Sequence, residues 1–155
     1  MFVLYSYYVN EKTCFFIGSR HTTENVRESL KQAVETHITE YGVTHFTVGR
    51  YGNFDRMVQG VLMEAKQQYE NIHLYLLAPY ALTQKEIEAP KGFDGTIYPD
   101  GLEKVPFRLA IVQANRITIK NSDYLIAHPG VGNSGKIVEF AQRREKKDLI
   151  KVTLL

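Results

Sequence analysis

The sequence predicts a three-layer α/β/α domain of Rossmann-like type, with a mostly parallel sheet in the order 3-2-1-4-5 and an extra N-terminal strand. Three observations carry this. Short apolar runs ending in glycine or a polar turn alternate with stretches of helical periodicity in a β-α-β-α-β-α-β-α-β series. Parallel neighbours joined through helices cross over right-handedly, so the helices cover both faces of the sheet. The 155 residues, 44% of them hydrophobic and 23% charged, suit one domain with one real core, residues 1–155 together.

The elements follow in order. "FVLYSYYV" is β-branched and aromatic and reads as the extra strand, with "NEK" as a turn after it. "TCFFIG", Thr13 to Gly18, is the first core strand, and its Cys14 reads as a buried, inert thiol. Thr22 and Thr23 are candidate N-caps of a helix whose apolar residues are Val26, Leu30, Ala33, Val34, His37, Ile38 and Tyr41, stopped by Gly42. "THFTVG", Thr44 to Gly49, is the second strand. Asn53 is a candidate cap for a helix with Phe54, Met57, Val58, Val61, Leu62, Ala65 and Tyr69 on one face. "IHLYLLAPY" is the third strand. Residues 81–105, rich in glycine and proline, read as a long loop of the kind that serves as a lid, with Tyr98 and Asp100 in it. Pro106 opens a helix expected to bury Phe107, Ala110, Ile111, Ala114 and Ile117. "DYLIAH", Asp123 to His128, is the fourth strand, a helix runs to about Lys147, and "LIKVTL" is the fifth.

Composition narrows the function. A net charge of +2 is too weak to argue for nucleic acid or a membrane surface. One cysteine cannot form an internal disulfide, and the five histidines show no metal-ligand spacing, so neither a metal nor a cofactor is expected. The first residues carry no basic leader and no window nears 18 consecutive apolar residues, which leads to the expectation of a cytoplasmic protein.

"AHPGVGNSGKIVEF" approaches the phosphate-binding loop of NTPases, with Gly130 four residues before Gly135-Lys136. The position that should carry a Mg²⁺-binding hydroxyl is Ile137, and the strand that follows holds no acidic residue. Mg²⁺-dependent hydrolysis therefore lacks its parts. What stays is anion binding by glycine-rich backbone at a helix N-terminus. Two further turns have that form: Gly18-Ser19-Arg20 after the first strand, and Gly49 to Asp55 after the second, with Gly52 and Asn53 opening a helix. In the order 3-2-1-4-5 the reversal falls between the first and fourth strands, which sets Gly18-Ser19-Arg20 beside Pro129-Gly130. Gly130, Gly132, Asn133, Ser134, Gly135 and Lys136 complete the rim. Three such turns on one rim point to a phosphorylated or nucleotide-like ligand.

"IGSR", "VGRYGNFDRMVQGVLMEAKQQYENI" and "TIYPDGLEKVPFRLAIVQANRITIKNSDYLIAH" resemble the SLOG superfamily, over residues 13 to 155. The superfamily takes in DprA-type domains and the LOG nucleotide phosphoribohydrolases, and the likeness is greatest to its small bacterial and prophage members. The resemblance implies a Rossmann-like fold, binding of a nucleotide or nucleotide-derived signal, and pairing into a homodimer or higher homo-oligomer. It adds Asn115 and Arg116, and Ser122 and Asp123, as pocket contacts; without it they read as braces between helix and strand. It also offers Glu139 as the carboxylate of N-glycosidic cleavage, against a solvated helix residue. The LOG pattern P-G-G-x-G-T-x-x-E is departed from: Gly130 is followed by Val131, Ser134 stands for the threonine, and Pro129 to Glu139 is two residues longer. The expectation is a protein that senses or sequesters a nucleotide-like ligand. The alternatives are glycosidic hydrolysis through Glu139 and DNA binding of DprA type.

Overall fold

The computed structural model describes residues 11–79 and 91–155. Six strands form one parallel sheet: β1 (Thr13–Gly18), β2 (His45–Val48), β3 (His73–Leu77), β4 (Gly95–Ile97), β5 (Tyr124–His128) and β6 (Lys151–Leu154), in the order β4-β3-β2-β1-β5-β6. The five expected core strands stand in their expected order. β4 is an addition at the edge and corrects the reading of residues 81–105 as loop throughout. It is held by Asp94, whose N–H donates to Leu74 O at 2.8 Å and whose Oδ2 accepts from the Leu74 N–H and from Lys66 Nζ. The expected N-terminal strand lies outside the described residues.

Two faces of the sheet receive two helix pairs. On one, α1 (Arg27–Thr39) and α2 (Asn53–Gln68) pack Leu30, Val34, Phe54, Met57, Val58, Val61 and Leu62 onto Phe16, Phe46, Val48 and Leu74. On the other, α3 (Ala110–Lys120) and α4 (Asn133–Glu145) close over Phe15, Ile17, Leu77, Leu125 and Ala127. The leftward crossovers β1-α1-β2 and β2-α2-β3 and the rightward crossovers into β5 and β6 put the pairs on opposite faces, as right-handed connection requires. Cys14 is buried, and burial pushes its thiol well above the usual range.

Local details correct three expectations. Asn53 is the first helical residue of α2, after Gly52, and neither gives a side-chain cap. Thr22 Oγ1 donates to Ser19 O at 2.8 Å instead of capping, and Thr23 makes no cap bond to a backbone N–H. α3 is rotated from the expected face. It buries Ala110, Ala114, Thr118 and Ile119, while Ile111 is 45% exposed and Phe107, in a 3₁₀ turn before the helix, is 73% exposed.

His37 supplies a pH dependence. Its ring is buried, Nδ1 lies 2.6 Å from Ala33 O, and Nε2 has no partner among the described residues. Tyr41 and Tyr124 enclose it edge-on. Burial lowers its pKa, and burial followed by the charge of His73 lowers that of His45. A histidine depressed in the native state binds its proton more readily when unfolded, so stability is held above about pH 6.5 and lost as pH falls through that value. Urea midpoints measured at about pH 7.5 and pH 5 should therefore fall more for the wild type than for His37→Leu; equal falls would contradict this.

Candidate functional site

A cavity of about 490 Å³ opens at the carboxyl ends of the strands, at the β1/β5 reversal. That size lies in the range of small-molecule sites. Its floor is the end of β1, with Phe15, Ile17 and Leu77; its walls are the turns after β1 and β2, the start of α3 and the start of α4.

The turns interlock through atoms a larger residue would displace. Ser19 N–H donates to His128 O at 3.0 Å, tying the β1 turn to the end of β5. A Cβ on Gly130 would stand 2.9 Å from Ser19 Cβ and Oγ. Gly52, at φ 92°, lies so close to Arg20 that a Cβ there would be 2.8 Å from Arg20 Cα, and the Asn53 N–H donates to Arg20 O at 3.1 Å. The start of α2 therefore fixes the backbone of Arg20.

Both serines are arranged alike. Ser19 Oγ accepts the His21 N–H at 3.1 Å, and Ser134 Oγ accepts the Gly130 N–H at 3.0 Å. Each hydroxyl proton stays available to an acceptor in the cavity. Ser134 also stands in the first turn of α4, where the N–H groups before that of Lys136 have no partner within the helix.

Charge is uneven. Among the described residues, Arg20, Arg50 and Arg108 line the cavity, with His21 and one carboxylate, Asp55. Asp55 extends from the first turn of α2 over the end of β2, where its Oδ2 accepts the Tyr51 N–H at 3.1 Å. Burial pushes its pKa up to about 7, partly opposed by that hydrogen bond. The described lining thus sets arginine side chains beside an apolar wall of Ile111, Val112 and Val131.

Of the residues singled out in the sequence, Gly18, Ser19, Arg20, Gly49, Asp55, Asn115, Asn133 and Ser134 line this cavity. Gly52, Asn53, Gly130, Gly132 and Gly135 shape the turns behind it, and Lys136 is exposed outside its lining. Arg116 points to α4, with its guanidinium 5.5 Å from the Phe140 ring centroid. Ser122 and Asp123 sit at the opposite end of the sheet: Ser122 Oγ donates to Thr118 O at 2.7 Å, and Asp123 Oδ2 accepts the Thr13 N–H at 2.9 Å. They brace the start of β5 against β1. Glu139 and Asp100 are exposed and outside the cavity lining, and Tyr98, also outside it, packs half-buried against the core.

Arg50, Tyr51, Arg108, Ile111 and Val112 were not foreseen there. Arg50 had a signal: Gly49-Arg50 follows β2 much as Gly18-Ser19-Arg20 closes β1. Arg108 had none, because the turn that presents it was read as regular helix. Among the described residues no three His, Cys, Asp or Glu side chains gather as a metal site, and no helix is long and apolar enough to cross a membrane. Neither the protein-family models nor the curated proteins give a match to this chain.

Proposed function

We propose that this cavity binds a nucleotide or nucleotide-derived small molecule, which the protein senses or sequesters. The observation that carries the reading is the convergence of Arg20, Arg50 and Arg108, two serine hydroxyls and an apolar wall on one cavity at the β1/β5 reversal. Open parallel sheets bind ligands at such a crevice. Guanidinium groups and a helix N-terminus suit a phosphate, and the wall of Ile111, Val112 and Val131 suits the flat face of a base. The resemblance to the SLOG superfamily supports the same reading. Glu139, the carboxylate that glycosidic cleavage would use, stands outside the cavity, so the proposal is for binding.

Arg20 is the residue to test. Its backbone is fixed by Asn53 and Gly52, and it lines the cavity together with Ser19 and Ser134. A hydrogen bond to a charged group contributes about 1.5–3 kcal/mol, so Arg20→Ala should weaken nucleotide binding about ten- to a hundredfold. Mass spectrometry of the protein as purified would find the ligand, and calorimetric titration would measure the loss. Unchanged affinity in Arg20→Ala would remove the phosphate from this crevice.

A further inference from the structure

Beyond complementing the N-terminus of α2, Asp55 has a single structural duty. Its Oδ2 accepts one backbone N–H, from Tyr51, a task an asparagine or serine oxygen could perform. Room is made for it: a Cβ on Gly49 would lie 2.5 Å from Oδ2. No lysine or arginine pairs with it among the described residues. Yet it lines the same cavity as Arg20 and Arg108, side chains whose preferred guest is an anion. A carboxylate there repels such a guest unless the same ligand offers it hydrogen-bond donors. Burial without a cation also costs free energy in the empty protein, the mark of a group kept for a ligand.

The place of the carboxylate identifies the donors. The β1 turn, with Ser19 and Arg20, is at the phosphate end, and Asp55 stands over the end of β2, the strand beside it. In dinucleotide-binding sheets an acidic residue near the end of the second strand accepts a ribose hydroxyl while the first turn holds the phosphates. Two carboxylate oxygens can accept from two vicinal hydroxyls, and Asp55 has Oδ1 wholly uncommitted among the described residues.

We infer that Asp55 accepts the vicinal hydroxyls of a ribose, so that the cavity selects ribonucleotides over 2′-deoxyribonucleotides. The inference rests on the nucleotide-binding reading above. A hydroxyl lost opposite a charged acceptor weakens binding by about ten- to a hundredfold.

The test is calorimetric titration of the intact protein at about pH 8, where the carboxylate is ionised. The probes are the common ribonucleoside 5′-monophosphates and 5′-diphosphates and their 2′-deoxy counterparts, with inorganic pyrophosphate. At least one ribonucleotide should bind about ten- to a hundredfold more tightly than its deoxy counterpart. In Asp55→Asn the ratio should fall below about threefold, while pyrophosphate, which has no hydroxyl for Asp55, should bind at least as tightly as before. Equal binding of ribo and deoxy forms by the wild type would overturn the inference and leave nucleotide binding standing. A ratio retained in Asp55→Asn would overturn it equally. Binding of no nucleotide would overturn both readings. Should the variant fail to fold, the wild-type ratio alone decides.

Discussion

At pH 8 the ligand-free Asp55→Asn protein should melt about 3–10 °C above the wild type, although the change removes a charge from the centre of the site. The carboxyl lies in the wall of the cavity with its pKa pushed up to about 7 by burial. Its ordinary value is near 3.9. A carboxyl raised in the native state is easier to protonate folded than unfolded, so the native protein is favoured below about pH 4 and loses that advantage as pH rises towards 7. Above 7 the full cost of the buried charge is present. At about 1.4 kcal/mol for each unit of pKa, the ceiling is about 4 kcal/mol. Asp55 keeps partial solvent contact at the cavity wall, which reduces this to about 1–3 kcal/mol. In a chain of this size each kcal/mol moves the melting temperature by about 2–4 °C. The amide keeps the acceptor for the Tyr51 N–H and removes the charge. Calorimetric melting at about pH 4.5 and pH 8 checks the sign: the gain should be large at the higher pH and almost absent at the lower. A variant no more stable at pH 8 would show that the carboxylate is comfortable where it sits. A gain in stability joined to a loss of ribose selection would be the trade expected of a site held ready for its ligand.

The same residue shows what the sequence made legible and what it hid. Asp55 was marked by its place in the first turn of a helix after a glycine-rich strand end, and the structure sets it over β2 beside the β1 turn. Glycine turns after strands located Gly18, Ser19, Arg20, Asn133 and Ser134 for one reason: in a parallel sheet every residue just after a strand lies on one rim. The same logic runs the other way for Ser122 and Asp123. They precede β5 and belong to the far rim, where Asp123 takes the first N–H of β1. Grouping them with the site ignored strand direction.

α3 was misread for a different reason. Ala110, Ala114 and Ile117 fit a buried stripe, and Phe107 and Ile111 continue it on paper. Periodicity cannot distinguish an apolar side chain that fills a core from one that walls a cavity, and Ile111 does the second. The rotation that exposes Ile111 turns Thr118 and Ile119 inward, where Thr118 satisfies its hydroxyl on Ala114 O at 2.7 Å. β4 was missed because "GTI" is three residues long and owes its place to Asp94, Lys66 and Leu74, which are brought together only by the fold.

Gly18→Ala should cost about 3 kcal/mol or more, and the cost should vanish when Phe54 is truncated. Gly18 ends β1 opposite His128. A Cβ at this position would stand 2.1, 2.3 and 2.6 Å from three atoms of the Phe54 ring, far inside van der Waals contact. Phe54 cannot swing aside cheaply. It is 0% exposed, packed in the core between α2 and the sheet. Overpacking of this kind costs about 1–3 kcal/mol and sometimes more, and three close contacts to one rigid ring argue for the upper end. Native proteins hold only about 5–15 kcal/mol in reserve, so the variant should unfold at markedly lower urea. Phe54→Ala alone should cost about 3–5 kcal/mol through the void it leaves. In that background the added methyl meets empty space, and Gly18→Ala should cost less than about 0.5 kcal/mol, a strong departure from additivity. Binding should not recover with the fold, because Phe54 precedes Asp55 in the first turn of α2 and holds that turn against the end of β1. Urea titrations of the four proteins in the cycle measure the coupling. A single Gly18→Ala within about 0.5 kcal/mol of the wild type would mean that the turn after β1 does not rest on Phe54, and the rigidity ascribed to Ser19 and Arg20 would go with it.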